Sequence, residues 1–527
     1  MNIRQEIKKI LGAGEAEIGY CADSRFGDYA TNWALKQAKK SGQDPLELAQ
    51  DLAQKIKTGD IFVKIEAVKP GFINFTLAPE YLHGQIAEIL TMGEKYGELD
   101  LGQGQKISID FVSANPTGPV HVGNARGGPM GDVLGNVLKY AGYQVSKEYY
   151  VNDAGHQVEV LGHSILGDEE AQYNGEYIEN LRQRIKTKDV RSAGEAGVEI
   201  ILAEIIKPSM VKFGIKFDNW LSEKDLLASG QVDEAMKLLK ERGVIYEQDG
   251  AWWFKASEFG DEADRVIVKS GGDKTYFGSD IAGHKKRLDG GADKLIDIWG
   301  ADHHGAVRRL KGALTALGYE NKLEIILTQF VRVLKGGEEM KMSKRAGTYI
   351  SIDDLIDEVG KDATRFFFLT RSPDTHMDFD LDLAKEQSEK NPVYYVQYAH
   401  ARICAILRKA ENKDYSLSEA KRVEGSQKLT HPAELALIKQ LIRLPETIED
   451  IAHDYQVHRL PQYALDLVRQ FHKFYEECRV LETPSDSEGR GEVDKSTSQA
   501  RLALCKATKI VLANTLSLMG ISAPEKM

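Results

Sequence analysis

Residues Lys106 to Gly142, KISIDFVSANPTGPVHVGNARGGPMGDVLGNVLKYAG, leave few folds open, because a strand, a glycine- and proline-rich loop and a helix follow one another there without a gap. Ile107, Ile109 and Phe111 alternate with polar residues as one strand of a sheet does, and Asn115, Pro116, Gly118 and Pro119 end it. Met130, Val133, Leu134, Val137, Leu138 and Ala141 then recur at steps of three and four, and Gly142 stands where a helix of that period would stop. Gln144 to Val151 reads as the second strand of a parallel βαβ unit, with Tyr150, Val151, Asn152 and Asp153 at the sheet edge where such folds bind ligands. His121, Gly123 and Asn124 fall at the helix start, where free N–H groups and the positive end of the dipole favour a phosphate. An imidazole and an amide both donate to phosphate oxygens, and a glycine between them leaves room for a flat ring. The same residues would also make a plain glycine-rich turn.

A second stretch narrows the choice. In LKGGEEMKMSKRAGTYI, Lys341 and Lys344 flank Met342 and Ser343 on a glycine-bounded segment. Two ammonium groups and a hydroxyl on a loop suit the neutralisation of a departing pyrophosphate in the transition state; alone they read equally as a solvated loop. Taken together, His121-Val122-Gly123-Asn124 and Lys341-Met342-Ser343-Lys344 resemble the paired signatures of class I aminoacyl-tRNA synthetases. The segments SANPTGPVHVGNARG, YVNDAGHQ, TYFGSDIAGHKKR, GADHHG, KMSKRAG and QYAHAR resemble arginyl-tRNA synthetases over most of the chain. One position departs: the first signature ordinarily ends in histidine, and Asn124 stands there, an amide that donates but carries no charge.

The resemblance implies a multidomain α/β protein. A small α+β tRNA-binding domain would span residues 1–101, and a Rossmann-like parallel-sheet catalytic domain 102–386, with a mainly helical insertion at about 154–260. An all-α helical anticodon-binding bundle would span 387–527. It implies ATP, accompanied by Mg²⁺, with L-arginine and tRNA(Arg) as the other reactants, and no resident metal. His121, Asn124, Lys341 and Lys344 would be catalytic, and Gly123, Asp302, His304, Met342 and Ser343 would join them in binding ATP. Asp110, Ser113, Asn115, Asp153, Tyr276 and Asp280 would bind arginine. Tyr29 and Asn74 would be exposed tRNA contacts of the first domain, and Tyr394, Tyr398 and Arg402 those of the bundle.

Some of these assignments also have a basis in residue chemistry. Tyr276 and Asp280, four apart, share one helix face, and an aromatic ring beside a carboxylate can hold a planar cation by stacking and a two-pronged hydrogen bond. An exposed aspartate beside a packed tyrosine would look the same. Asp302, His303 and His304 suggest a metal only at first sight, since adjacent histidines at a strand end point apart and no third ligand is evident. Phe26, Tyr29, Trp33, Phe72 and Phe75 are the expected core of the first domain, and Phe366, Phe367 and Phe368 are expected to be buried, with Arg365 and Arg371 salt-bridged or solvated nearby.

The formal net charge of −11 over 527 residues argues against indiscriminate nucleic-acid binding, while leaving open a structured RNA held by local basic patches and stacking. No window of eighteen apolar residues suggests a membrane span, and the first twenty residues lack the apolar centre of a signal peptide, so the cytoplasm is the expected compartment; the resemblance adds an expected monomer. Cys21, Cys404, Cys478 and Cys505 show no metal or disulfide spacing. A class I synthetase for another amino acid, a small nucleotidyltransferase and a non-catalytic RNA-binding relative are the competing functions.

Overall fold

The computed structural model describes residues 2–12, 16–21, 23–56, 59–340, 350–411, 426–481 and 494–527, so Lys341, Met342, Ser343 and Lys344 lie outside the described residues. The first unit is an antiparallel sheet of β1 (Ile18–Tyr20), β2 (Tyr29–Thr31), β3 (Phe62–Val68) and β4 (Phe72–Leu77), in the order β1-β2-β4-β3. Helices Ile3–Leu11, Trp33–Ser41 and Pro45–Lys55 accompany it. Tyr29 and Phe75 are in its core, but Phe26 and Phe72 are exposed: Phe72 opens β4 at the tip of the β3–β4 hairpin, where nothing packs over it.

The exposure expected of Tyr29 and Asn74 is not found. Asn74 sits in the central strand β4 between β2 and β3, 6% exposed. Tyr29 is 2% exposed, and its hydroxyl donates at 3.2 Å to Glu446 of helix Leu444–Asp454. Tyr20 donates to the same carboxylate at 2.6 Å, and the Arg4 amide at 3.2 Å. Glu446 is fully buried, so three donors from the first unit satisfy a carboxylate of the C-terminal bundle, and these tyrosines join two domains rather than facing solvent.

The central sheet is parallel throughout. It contains β5 (Lys106–Phe111), β6 (Gln144–Val151), β7 (Asn219–Ser222), β11 (Lys294–Gly300) and β12 (Leu323–Thr328), in the order β12-β11-β5-β6-β7. The chain fills one side from β5 to β7 and then crosses to β11, so the strand order reverses between β5 and β11, the position where open α/β sheets form a crevice beyond the strand ends. Helix Gly127–Tyr140 covers one face. Gly131 makes its close approach possible, since a Cβ there would lie 2.2 Å from the Phe111 ring. Helix Tyr276–Asp289 lies on the other face, where Ser108 and Asp110 point.

The stretch 154–260 is more than a helical insertion. Helices His156–Leu166, Glu176–Arg184 and Val190–Ile201 come first, but β7 then joins the edge of the main sheet. The intervening β8 (Ile245–Gln248) and β9 (Ala251–Phe254) pair with β10 (Arg265–Val268) in an antiparallel sheet of their own. Four-residue strands carry too little alternation to stand out in sequence, and their Tyr246, Trp252 and Trp253 mark them only by composition. A last small sheet holds β13 (Val331–Lys335), β14 (Glu338–Glu339) and β15 (Met377–Asp380).

The C-terminal bundle comprises helices Pro392–Glu411, Pro432–Leu441, Leu444–Asp454, Arg459–Glu477 and Lys495–Leu518. It is tied to the central domain by a hydrogen bond from a buried arginine as well as by apolar packing. Arg365, fully buried beside Phe366, Phe367 and Phe368, pairs with buried Asp132 at 2.5 Å and donates to the Met519 carbonyl at 2.8 Å. Asp132 also takes Lys147 at 2.6 Å. Removing one partner from a buried pair of this kind costs about 3–5 kcal/mol. Arg371 is exposed. Among the described residues, no helix is long and apolar enough to cross a membrane.

Candidate active site

Beyond the ends of β5 and β11 the candidate side chains form two differently charged halves. In the first half, His121 precedes the short helix Val122–Ala125, and its Nδ1 accepts from the Gly123 amide at 3.0 Å, which leaves the ring proton on Nε2. A Cβ at Gly123 would stand 2.8 Å from His121 Cε1, so glycine is needed here to let the imidazole fold back over its own helix start. Asn124 is exposed. Arg126, which sequence reasoning missed, is completely buried and donates to the carbonyls of Gln329, Ser372 and Thr375 at 2.7–3.0 Å. It ties this helix start to the segments that flank the small sheet β13–β15.

The described residues on either side of 341–349 are each held by backbone hydrogen bonds. The Met340 amide donates to Val333 of β13, and on the far side Val122 donates to the Ile350 carbonyl at 3.2 Å while Ile352 donates to Val120 at 2.8 Å. His121 and Ser351 face each other in an isolated bridge, although 230 residues separate these two positions. Asp302 and His304, at the end of β11, are exposed; His304 Nδ1 donates to the Ala301 carbonyl at 3.2 Å, whereas His303 turns to Asp302 at 3.6 Å.

The other half is acidic and aromatic. Val112 and Ser113 have φ of +70° and +34°, a backbone conformation that non-glycine residues adopt at a cost, and this bend swings Ser113 back onto its own strand. Ser113 Oγ donates to Asp110 at 2.7 Å and accepts from the Tyr150 amide at 2.9 Å. Asn115 accepts from Asn152 at 2.6 Å across the same strand ends. Tyr276 opens helix Tyr276–Asp289 with half of its surface exposed, and Asp280 follows one turn later. Burial, opposed in part by His284 and aided by Glu223, pushes the Asp280 carboxyl up to about 8. Burial, and then the neighbouring Asp297 on β11, raise Asp110 as well.

Glu223 and Tyr150 are the residues of this half that sequence reasoning passed over. Glu223 is 6% exposed, its carboxyl raised by burial, and it lies against Ser279. It begins helix Glu223–Ala228, where an acidic residue is what the helix dipole favours, so in sequence it looks like ordinary helix-start chemistry. The Tyr150 hydroxyl is buried without a protein partner, and the charges of Glu223, Asp280 and Asp110 all act on it. The buried Asn152 Oδ1 is likewise unpartnered. Asp153, by contrast, is turned away to structural work, accepting from Ser222 Oγ at 2.6 Å and the Lys224 amide at 2.8 Å to fix the start of that helix.

Three carboxyl groups with raised affinity for a proton thus surround a buried phenol that has no protein partner, an arrangement whose charges a cation could offset. Residues 1–77 match the arginyl tRNA synthetase N terminal domain, 85–196 and 176–380 the catalytic domain of class I (R) tRNA synthetases, and 396–527 the DALR anticodon binding domain. The arginine–tRNA ligase of Heliobacterium modesticaldum is 44% identical over 96% of this chain and 92% of its own length. The chain belongs to the arginyl-tRNA synthetase family. The arginine–tRNA ligase of Bacillus licheniformis is 42% identical over the whole of this chain and 98% of its own. The arginyl-tRNA synthetase of Thermus thermophilus, only 21% identical, has the same fold, with a TM-score of 0.78 and all of both chains covered. Family membership makes the central region a class I catalytic domain that uses ATP, and the chain an aminoacyl-tRNA ligase.

Proposed function

We infer that the crevice between β5 and β11 is where this arginine–tRNA ligase joins arginine to AMP and then passes it to tRNA. What supports this assignment is that the charges of Glu223, Asp280 and Asp110 all act on the buried Tyr150 hydroxyl, with Tyr276 one turn before Asp280, and that His121 heads the helix start that follows β5. Tyr276 stacks on the guanidinium, and Asp280 with Glu223 takes its N–H groups. Ser113 and Asn115, held by the Tyr150 amide and Asn152, meet the amino and carboxylate groups of arginine.

The arginine carboxylate oxygen attacks the α-phosphorus as the bond to pyrophosphate breaks, and a hydroxyl of the terminal ribose of tRNA(Arg) then attacks the acyl carbon and releases AMP. No covalent intermediate on the protein is required; alignment and stabilisation of charge lower the barrier. His121 Nε2–H and the Asn124 amide donate to the triphosphate, Asp302 and His304 line the nucleoside side, and Lys341, Ser343 and Lys344, beside Met342, meet the departing pyrophosphate. Mg²⁺ would arrive on the phosphates of ATP.

In the bundle, Tyr394 and Tyr398 stack at 6.1 Å with Tyr398 exposed, and Arg402 lies 4.4 Å from the Tyr475 ring, a surface suited to unpaired anticodon bases. We place the enzyme in the cytoplasm as a monomer. ATP–pyrophosphate exchange with each amino acid, with and without tRNA, tests the assignment. Exchange with arginine alone, and only when tRNA is present, is the expected result; exchange with another amino acid would remove the guanidinium assignment.

A further inference from the structure

Behind the arginine crevice, on the side away from substrate, an ionic cluster is sealed between helix Tyr276–Asp289 and strands β5 and β11. His284 lies one turn below Asp280 and is 8% exposed. Its Nδ1 is 2.6 Å from the Asp280 carbonyl oxygen and its Nε2 is 2.5 Å from Asp297 Oδ2. Asp297, fully buried on β11, takes Arg287 at 2.8 Å on its other oxygen, and Arg287 continues to the Ser108 hydroxyl and carbonyl on β5.

Both atoms facing the ring accept hydrogen bonds. A carbonyl has no proton to give, and although burial alone would raise Asp297, Arg287 and His284 hold it well below the usual carboxylate range. A neutral imidazole has one N–H and would leave a lone pair facing one of these oxygens. The charged groups around the ring favour the second proton: Asp297 from β11, Asp110 from β5, and Asp280 and Arg287 from its own helix place three carboxyl groups against one guanidinium.

We propose that His284 is a permanently protonated positioning residue for arginine recognition, an imidazolium that pins the Asp280 turn to β11 and supplies the positive charge that lets Asp280 and Asp110 act as carboxylates. This rests on Asp280 being the guanidinium's partner. His284 touches no reacting atom; it acts through Asp280, so its loss shows in arginine binding and not in the handling of ATP.

Two measurements test it. In protein labelled with ¹⁵N-histidine, one ring signal should have both nitrogens protonated and stay fixed from about pH 6 to 8.5, well above the ordinary histidine range, and it should vanish in His284→Gln. In exchange assays His284→Gln should raise KM for arginine roughly tenfold, with kcat and KM for ATP within about threefold, an effect of about one charge-assisted hydrogen bond. A His284 ring that titrates in that range, or that carries one bare nitrogen, overturns the proposal even if the variant fails to fold. So does a folded His284→Gln with unchanged KM for arginine while Asp280→Asn raises it. If Asp280→Asn leaves KM unchanged, the guanidinium assignment fails instead, and the positioning role of the imidazolium fails with it.

Discussion

Asp280→Asn should lower kcat/KM for arginine by roughly 10²–10³-fold and leave KM for ATP within about threefold, because it removes one member of a desolvated charge pair and nothing on the phosphate side. The amide keeps the shape of the carboxyl and one acceptor oxygen, so the loss measures charge. The same residue gives the unchanged enzyme a pH dependence of definite sign. With its carboxyl pushed up to about 8, Asp280 holds its proton at lower pH and must lose it to bind a cation that stays charged throughout. KM for arginine should therefore fall roughly 25-fold as pH rises from about 6.5 to 8.5, and the slope should flatten in Asp280→Asn. Steady-state exchange kinetics over that range check both statements; a KM that rises with pH would contradict the protonated crevice floor.

His121→Ala should reduce kcat for exchange by roughly 10²–10³-fold with little change in KM for arginine, the expected cost of one preorganised donor to a developing anion. Removing the ring also takes away the acceptor for the Gly123 amide, a loss of about 1 kcal/mol in stability, comparable to a helix cap and small beside the kinetic effect. A melting temperature measured alongside kcat separates the two. Asn124→His should remain active, since an imidazole donates as the amide does.

The half of the site nearest β5 was legible because its chemistry coincides with its periodicity. Strand alternation, the glycine-rich turn and the helix row of Met130 to Ala141 all lie in one unbroken stretch, and Tyr276 and Asp280 declare a shared face by their spacing alone. What escaped notice came from distant segments or wore ordinary clothing. Glu223 looks like a favourable first-turn acid, and only the folding of β7 against β6 brings it towards Asp280. Tyr29 reads as a core residue and only the resemblance set it on the surface, but its partner Glu446 lies 417 residues away. Arg126 follows the first signature directly, yet its three carbonyl partners belong to segments about 200–250 residues further on. Such pairings leave no local pattern, because burial of a charged or phenolic group is decided by the segment that covers it.

The measurement closest to the central claim compares arginine with citrulline, its neutral isostere, in tRNA-supported ATP–pyrophosphate exchange. A crevice floored by Asp280, Glu223 and Asp110 reads charge and N–H donors, so citrulline should be disfavoured in kcat/KM by roughly 10⁴-fold or more, as for sites whose buried polar groups lose their partner. Exchange with citrulline within about tenfold of arginine would mean that shape alone selects the substrate, and that the three carboxyl groups are not where the guanidinium binds.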